Sequence, residues 1–272
     1  MPSLKDLYRK ALQDAPSSFE AGELFRFVTG ISPVFDLDAP AAPAMERELT
    51  LLLEARADGY PLQYLLGEWE FYGLPLQVGP GVLIPRQDTE TLVDTALGIL
   101  KRGGKANPEV LDICSGSGCI AIAVKFNFPG ANVTALEFSQ KAYLYLEKNI
   151  ALNGVDVTPI HGDLRDYKHP APVDMIVSNP PYIPKGDIAG LQAEVSHEPV
   201  MALDGGEDGL TFFREIARLY RGQFAPGGVL LLEIGAGQQE RVAEILASYG
   251  YADIRAVKDL NGIVRVMVAN IP

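Results

Sequence analysis

The chain has 272 residues, of which 47% are hydrophobic and 21% are charged, and its formal net charge is −12. This composition is typical of a globular protein with one large domain, or with a moderate domain and a smaller one, and it excludes a disordered or fibrous chain. The acidic balance argues against stable binding to nucleic acid through a broad basic surface, because such binding depends on contacts with phosphates.

The first predicted domain, residues 1–66, is helical. Apolar side chains recur at helical spacing between residues 4 and 12. Ser17 and Glu20 form a capping box ahead of a second helix, which we expect to stop at Gly30. A third helix is predicted after residues 40–43 and ends near Gly59. The domain is interpreted either as a stabilising extension or as a substrate-docking module.

A β-hairpin linker is predicted at residues 67–80. Side chains alternate in character on both sides of Gly73, which places Trp69 and Phe71 on one face of the hairpin. A loop that contains Pro85 then leads into a helix, and we expect Asp88 or Thr89 to cap it.

From Glu109 onward, strand-like and helix-like segments alternate, which predicts an α/β domain with a parallel sheet over residues 81–272. The turn signal Asn261-Gly262 predicts that the last strand runs antiparallel. Helices are expected at residues 210–224 and 238–249. The predicted strands are residues 110–113, 133–136, 157–160, 174–177, 228–234, 253–257 and 263–269.

A nucleotide-binding pattern follows the first of these strands. Gly116 and Gly118 let the backbone come close to a ligand, and Glu137, at the end of the next strand, can accept hydrogen bonds from both ribose hydroxyls. Asp112 is unsuited to a pyrophosphate, whereas a carboxylate suits a ligand that carries an ammonium group and a sulfonium. We therefore expect S-adenosylmethionine as the cofactor.

The tip of the third strand carries Asp163 and Leu164. Asp163 can accept a hydrogen bond from the amino group of adenine, and Leu164 can cover the ring. Each carboxylate in the pattern also has a purely structural interpretation, as a cap of the turn or helix that follows it. Their shared location at successive strand ends favours a binding site.

A second loop, Asn179-Pro180-Pro181-Tyr182, follows the fourth strand. Its two prolines remove two backbone donors and restrict two φ angles, so the loop offers carbonyl acceptors on a stiff frame. A planar NH₂ group could donate to Asn179 Oδ1 and to the Pro180 carbonyl while it lies against the Tyr182 ring. We interpret the loop as a grip for an amide or an aromatic amine, although Asn-Pro-Pro alone is also typical of a simple capped turn.

No targeting or metal-binding pattern accompanies these loops. The start of the sequence has no charged segment followed by an apolar core, and no apolar run reaches the length of a membrane span. Cys114 and Cys119, with three scattered histidines, favour neither a disulfide framework nor a zinc site. We expect a cytoplasmic monomer that binds no metal and no membrane.

With these motifs, the chain resembles the class I S-adenosylmethionine-dependent methyltransferases, and within them the peptide-chain release factor glutamine methyltransferases (the HemK/PrmC family). The resemblance covers nearly the whole chain. Asn-Pro-Pro-Tyr is shared with DNA adenine methyltransferases, but the other segments are more specific. They are residues 61–64 (PLQY), 67–73 (GEWEFYG), 84–90 (IPRQDTE), 198–199 (EP), 202–210 (ALDGGEDGL) and 233–235 (EIG).

The resemblance implies a helical N-terminal domain, a hairpin linker and a seven-stranded Rossmann-like methyltransferase sheet. It implies that residues 179–182 hold the substrate, which is the glutamine in the Gly-Gly-Gln motif of a bacterial release factor. The resemblance also implies a set of residues that line the cofactor site: Cys114, Ser115, Gly116, Ser117, Gly118, Glu137, Leu164 and Asn179. To these we add Asp112 and Asp163 from the sequence pattern, and Arg86 and Thr89 from the 84–90 segment.

Three positions depart from the residues usual in this family. Cys114 stands where Gly is common, Glu137 where Asp is common, and Gln87 where Pro is common. Glu137 keeps the carboxylate, and Cys114 is small, so we expect only local adjustments there. Gln87 changes how the loop before the helix is set.

Two rival interpretations stay open at this point. One is the same chemistry on another acceptor, either a glutamine of a ribosomal protein or the amino group of adenine or cytosine. The other is a non-catalytic binding module that keeps the fold. The acidic composition counts against nucleic acid, and the intact set of Asp112, Gly116, Gly118, Glu137 and Asn179 counts against a decayed site.

Overall fold

The computed structural model describes residues 2–34 and 37–272, and the chain divides into two compact units. One unit comprises residues 1–68 and 192–197, and the other comprises residues 69–191 and 198–272. In the described ranges, no helix is long and apolar enough to cross a membrane.

The smaller unit is helical, as the spacing of its apolar residues predicts. Its helices are α1 (Leu4–Asp14), α2 (Ser18–Thr29), α3 (Pro43–Ala57) and α4 (Leu62–Leu66). Leu7, Leu24, Phe25 and Leu49 are fully buried between them. Burying an apolar side chain of this size stabilises a fold by about 1.5–3 kcal/mol, so these four side chains account for the packing of the short helices.

The capping box expected at Ser17 is only half formed. The Ser17 side chain accepts a hydrogen bond from the Glu20 amide at 3.2 Å, but the Glu20 carboxylate turns to Arg56. Arg56 is buried in α3 and forms ion pairs with Glu20 and with Glu194, both at 2.5 Å. A buried guanidinium needs such partners, and this requirement outweighs the gain from a second capping bond.

The predicted hairpin consists of β1 (Glu68–Phe71) and β2 (Leu74–Gln77). Tyr72 and Gly73 between them both have positive φ, as a two-residue hairpin turn requires. The side chains of Phe71, Leu74 and Leu76 are buried in the core of the larger unit.

The larger unit contains a seven-stranded sheet in the order β5-β4-β3-β6-β7-β9-β8, with β9 antiparallel to both of its neighbours. The α/β fold class and the antiparallel last strand are therefore confirmed. The strands are β3 (Glu109–Ile113), β4 (Asn132–Glu137), β5 (Val157–His161), β6 (Val173–Ser178), β7 (Phe224–Glu233), β8 (Ala252–Lys258) and β9 (Val264–Asn270). The helices are α5 (Glu90–Gly103), α6 (Cys119–Asn127), α7 (Gln140–Asn153), α8 (Thr211–Tyr220) and α9 (Gln239–Ser248).

Side chains of the central strands alternate between two apolar layers. Val177 and Leu231 belong to the layer that α5, α6 and α7 cover, and Ile176 and Leu232 belong to the layer that α8 and α9 cover. Because both faces are buried, the strands read as continuous apolar runs. The strand order reverses between β3 and β6, which opens a crevice at their carboxyl ends.

One boundary and one helix cap differ from the predictions. The helix expected at residues 210–224 ends at Tyr220, and Phe224 already belongs to β7, where it pairs with Val173 of β6. The helix expected to be capped by Asp88 or Thr89 begins at Glu90, and the Thr89 hydroxyl makes no capping hydrogen bond. Asp88 instead pairs with Arg265 of β9 at 2.7 Å.

Candidate active site

A cavity of about 330 Å³ lies at the carboxyl ends of the parallel strands of the larger unit. Its wall is formed by the segment before α5 and by the loops that follow β3, β4, β5 and β6. Most of the predicted site residues meet there, namely Arg86, Thr89, Cys114, Ser115, Gly116, Ser117, Glu137, Asp163, Leu164, Asn179 and Pro181.

Four predicted site residues lie off this wall. Asp112 is fully buried in β3, and Pro180 is buried within its loop. Gly118 starts α6 and faces the core, and Tyr182 packs against the apolar layer under α8 and α9. Burial raises the pKa of the Tyr182 hydroxyl well above its usual range. Any direct contact of these four residues with a ligand stays a prediction.

The two glycines after β3 serve different purposes. Gly116 has a φ of 57°, and a Cβ at this position meets no heavy atom within 4 Å, so its backbone stays open to a ligand. Gly118 has a φ of 84°, and a Cβ there lies 2.5 Å from Leu146 Cδ1. The first glycine keeps space for a ligand, and the second allows α6 and α7 to pack closely.

Cys114 also has a positive φ, of 61°. An L residue pays about 1–2 kcal/mol in this left-handed region, whereas glycine does not. The preference for Gly that we noted at this position therefore has a backbone cause. Burial raises the pKa of the Cys114 thiol above its usual range, so the group stays protonated.

Glu137 is held on the cavity wall by backbone amides. Its Oε2 accepts a hydrogen bond from the Gly116 amide at 2.8 Å, and its Oε1 accepts from the Ser139 amide at 2.6 Å. Burial raises the pKa of this carboxyl group, while the amides of Ser139, Gly116 and Phe138 oppose that effect. The carboxylate thus ties the β3 loop to the end of β4, and its predicted contact with a ribose stays a prediction.

Asp112 lies directly behind the β3 loop. Its Oδ2 accepts a hydrogen bond from the Ser115 hydroxyl, and its Oδ1 has no hydrogen-bond partner among the described residues. Burial raises the pKa of Asp112 to about 7, and the Ser115 hydroxyl and the Ala121 amide counteract part of this effect. A buried carboxylate with an open acceptor favours a cationic group nearby.

Asp163 and Leu164 follow β5 and close one end of the cavity. Asp163 Oδ1 accepts a hydrogen bond from the Arg165 amide at 2.9 Å, as an aspartate in a turn does. Both interpretations of Asp163 therefore fit its position, since it stabilises the turn and also reaches the cavity. Leu164 is buried and offers an apolar surface to the cavity.

The Asn179 side chain is fixed from one side. Its Nδ2 donates to the Thr89 hydroxyl at 3.2 Å, which leaves the carbonyl oxygen Oδ1 for another donor. The other end of the 179–182 loop is also fixed, because Gln238 Nε2 donates to the Tyr182 carbonyl at 3.0 Å. These two hydrogen bonds hold the loop at both ends, and its use as a grip for an amide stays a prediction.

The segment 202–210, for which the sequence suggested no role, lies beneath this loop. Leu203 and Gly205 exchange backbone hydrogen bonds with Ile183 at 3.0 and 2.8 Å. A Cβ at Gly205 lies 2.8 Å from the Tyr182 Cα, so only glycine allows this close approach. The signal that could have found this role is the pair of adjacent glycines, Gly205 and Gly206.

Glu198 is another residue whose role only the structure reveals. It is buried, forms an ion pair with Arg86 and accepts a hydrogen bond from the Ile84 amide at 3.0 Å. These two contacts hold the segment before α5 at the cavity wall. Apolar wall residues without a predicted role include Val82, Phe138, Met201 and Phe212.

Known proteins of one family are similar to this chain over most of its length. The family model "Methyltransferase small domain" matches residues 89–198. A release factor glutamine methyltransferase of Geobacter sulfurreducens is 42% identical over 85% of this chain and 81% of its own length. The chain belongs to the release factor glutamine methyltransferases. A release factor glutamine methyltransferase of Gloeobacter violaceus is 41% identical over 92% of this chain and 89% of its own length.

Solved methyltransferase structures share the fold of this family member. A methyltransferase from Pyrococcus furiosus superimposes with a TM-score of 0.55 at 18% identity, over 82% of this chain and 97% of that one. A 16S rRNA N2 G1207 methyltransferase from T. thermophilus gives a TM-score of 0.56 at 19% identity, over 75% of this chain and 50% of that one. The predicted family, fold class and methyltransferase class are thus confirmed, while the individual site residues stay predictions.

The cavity of this methyltransferase fits S-adenosylmethionine. Its volume lies in the range of small-molecule sites. Gly116 leaves open space for a ligand, and Leu164 supplies an apolar surface for a flat ring. Glu137 on the wall and Asp112 behind the β3 loop are carboxyl groups that a cationic ligand would keep ionised, against the effect of burial. The donor set therefore matches the charge and shape of the cofactor.

Proposed function

We propose that this enzyme transfers a methyl group from S-adenosylmethionine to the side-chain amide nitrogen of the glutamine in the Gly-Gly-Gln motif of bacterial peptide-chain release factors. The observation that carries the proposal is the Asn179 side chain, which is held through its nitrogen at the cavity wall and keeps its oxygen for a donor. The relatives named release factor glutamine methyltransferase support the choice of acceptor.

The cofactor supplies a methyl group made electrophilic by a sulfonium. Gly116 and Ser117 would offer backbone to it, Glu137 would accept from its ribose hydroxyls, Leu164 would cover its adenine, and Asp163 would accept from the adenine amino group. Asp112, behind the β3 loop, would favour its positive charge. The first five residues are assigned from their positions around one cavity, and Asp112 from its hydrogen bond to Ser115 on the cavity wall.

The acceptor nitrogen is a poor nucleophile, because its lone pair is delocalised into the amide carbonyl. Catalysis then depends on orientation and electrostatics. Asn179 Oδ1 and the Pro180 carbonyl accept the two amide hydrogens and aim the nitrogen at the methyl group. Two carbonyl dipoles also stabilise the positive charge that develops on the nitrogen.

The helical unit is proposed to dock the release factor. Five large apolar side chains of this unit are exposed although the unit has its own core, and exposed large apolar side chains are available to contact a protein partner. They are Leu12, Phe19, Phe27, Val34 and Leu51, with exposed fractions from 45% to 84%. We therefore keep the predicted division into a docking domain (residues 1–66), a linker (67–80) and a catalytic domain (81–272).

Docking is tested by comparing two substrates. Phe27→Ser and Leu51→Ser should raise KM for the intact release factor several-fold and leave the turnover of a short Gly-Gly-Gln peptide unchanged, because only the intact protein reaches the helical unit. Leu260→Ser, which alters an exposed leucine of the larger unit, is the matched control. Equal KM values for all three variants on the intact factor would assign the helical unit to stability alone.

We further propose that the enzyme acts as a monomer in the cytoplasm, where translation takes place, and that it binds no nucleic acid stably. The net charge of −12 supports the last point. Sedimentation at micromolar concentration and titration with duplex DNA at two salt concentrations test these statements.

The acceptor is tested by methyl transfer from labelled S-adenosylmethionine to a purified bacterial release factor, with the modified residue located by mass spectrometry. Parallel samples contain the factor with its Gly-Gly-Gln glutamine replaced, a ribosomal protein mixture and duplex DNA. Label on that glutamine, and none on the replaced factor, supports the proposal. Label on a ribosomal protein or on DNA transfers the function to that acceptor, and the absence of label everywhere favours a binding module.

A further inference from the structure

Glu233, the last residue of β7, is buried in the larger unit, with only 2% of its surface exposed. Its Oε2 has no hydrogen-bond partner among the described residues. A buried carboxylate is costly unless other groups compensate its charge. Glu233 does not line the described cavity, so it does not act by touching the cofactor or the substrate.

Strand register places Glu233 beside Asn179. Ser178 of β6 pairs with Leu232 of β7, so Asn179 and Glu233 are the next positions on two neighbouring parallel strands. Alternation then puts both side chains on the face of Val177 and Leu231, which is the face that α5 covers. The two side chains therefore share one face at the amino end of α5.

Thr89 stands at this end of α5, in the N-cap position, and is 1% exposed. Threonine at this position commonly caps its own helix, but here the hydroxyl makes no capping hydrogen bond. Its Oγ1 instead accepts from Asn179 Nδ2 at 3.2 Å. A hydroxyl that accepts one hydrogen bond still has its proton to donate, and the Glu233 carboxylate interacts with both Thr89 and Asn179.

We propose that Glu233 and Thr89 are positioning residues that orient the Asn179 amide, so that its carbonyl oxygen and not its NH₂ group faces the methyl acceptor. This inference rests on the proposed function. An amide turned by 180° would place a donor against the NH₂ group of the substrate and lose the acceptor that aims the nitrogen. In the chain Glu233–Thr89–Asn179, Thr89 Oγ1 accepts from the Asn179 NH₂ group and the Glu233 carboxylate lies beside both residues, so a turned amide would lose its bond to Thr89 and direct its carbonyl oxygen at the carboxylate.

Protonation of Glu233 should break this chain. Burial raises its pKa to about 7, with Asp88 raising it further, while Thr89, Arg265 and Asn179 lower it. Tyr182 and the Cys119 thiol at the start of α6 also face the group, and Arg86 lies near Tyr182. Below this pH the carboxyl group becomes a donor to Thr89 Oγ1 and competes with Asn179 Nδ2. The turnover at saturating cofactor should therefore fall as the pH decreases through about 7.

The test uses the full chain with three informative variants. Thr89→Val removes the hydroxyl at constant shape, Thr89→Ser restores it, and Glu233→Gln removes the charge. Thr95→Val is the matched control, because the Thr95 hydroxyl bonds to the Thr91 carbonyl on the same helix, off the cavity wall. Cofactor affinity by calorimetry reports that each variant is folded. The side-chain ¹⁵N–¹H₂ signals of Asn179 in the ligand-free protein give a readout that does not depend on activity.

We expect Thr89→Val to lower kcat roughly 10-fold, the size of one lost hydrogen bond, and to shift the Asn179 signals, while Thr89→Ser and Thr95→Val stay near wild type. Glu233→Gln should lower kcat and remove its decline between pH 8 and pH 6. Wild-type kcat and unshifted Asn179 signals in Thr89→Val would overturn the inference. So would a loss of cofactor affinity at unchanged kcat, which would make Thr89 the cofactor ligand that we first predicted. Wild-type enzyme that labels no release factor refutes the proposed acceptor alone, and the Asn179 signals still decide the orientation.

Discussion

Two loops border the cavity at the point where the strand order reverses, and different forces hold them in place. The loop after β3 is shaped by its backbone: Cys114, Gly116 and Gly118 all have positive φ, and Glu137 accepts a hydrogen bond from the Gly116 amide. The loop after β6 is shaped by prolines and by side chains, since Thr89 holds Asn179 and Gln238 holds the Tyr182 carbonyl. A loop that approaches a ligand with its backbone needs conformational freedom, whereas a loop that aims one amide needs rigidity.

The largest effect is expected at the rigid loop. Asn179→Ala should lower kcat roughly 10²-fold or more, the scale of losing one preorganised polar partner, while cofactor affinity changes less. Asn179→Asp is a sharper variant, because it keeps the shape and adds a charge. Steady-state kinetics with a release factor, together with calorimetry for the cofactor, measure both quantities. Near-normal turnover in the alanine variant would show that the loop does not aim the acceptor.

At the backbone-shaped loop, the largest effect should be on stability. Gly118→Ala places a Cβ 2.5 Å from Leu146 at a φ of 84°. We expect a loss of roughly 2–3 kcal/mol in the free energy of unfolding, from strain and overpacking together. Gly104→Ala is the control, since its φ is also positive but no atom lies within 4 Å of the new Cβ. It should cost only about 1 kcal/mol. Equal losses in urea denaturation would exclude the packing explanation.

Asp112→Asn, next to the same loop, should change the free energy of unfolding and the affinity for the cofactor in opposite directions at pH 8. Burial raises the pKa of Asp112 to about 7 from a model-compound value of 3.8, so the folded state holds this proton more tightly than the unfolded state. Its contribution to stability is therefore present at low pH and is lost as the pH rises toward 7. The asparagine variant should be more stable than wild type at pH 8, with little difference near pH 4.

The same substitution should weaken binding of the cationic cofactor roughly 10-fold at pH 8, because one charged partner is lost. Calorimetry and denaturant titration at the two pH values test the pair of outcomes. A variant that is less stable at pH 8 and binds the cofactor normally would make Asp112 a purely structural cap.

The smallest effect is expected at Cys114. Cys114→Gly relieves the strain of a φ of 61° but gives up packing contacts and chain rigidity, so the net change in stability should be within about 1 kcal/mol. Cofactor affinity should stay within twofold, as measured by calorimetry. A large drop in affinity would show that the Cys114 side chain, and not only its backbone, contributes to the cavity.

Much of this site was visible as local pattern. Asp112, Glu137 and Asn179 each lie in or next to the last residues of an apolar strand. Parallel strands bring their carboxyl ends to one edge of a sheet. The turn Asn261-Gly262 likewise indicated the reversal of the last strand, because the positive φ of 81° at Gly262 favours glycine.

Other features depend on partners far away in the chain. Glu198 meets Arg86 across 112 residues, and Asn179 meets Thr89 across 90 residues. No window of sequence contains both members of either pair. The early start of β7 at Phe224 has the same origin, since pairing with Val173 overrides the helical spacing that continues past Tyr220.

The fold class, the family and the set of loops that form the cavity were thus contained in the order of the residues, because hydrophobic period, glycines and prolines act over a few positions. The inward or outward placement of Tyr182 and Pro180, the orientation of the Asn179 amide and the raised pKa values of Asp112 and Glu233 were decided only when the chain folded. Each of these depends on burial and on the groups that pack around one side chain, and both quantities are properties of the assembled structure.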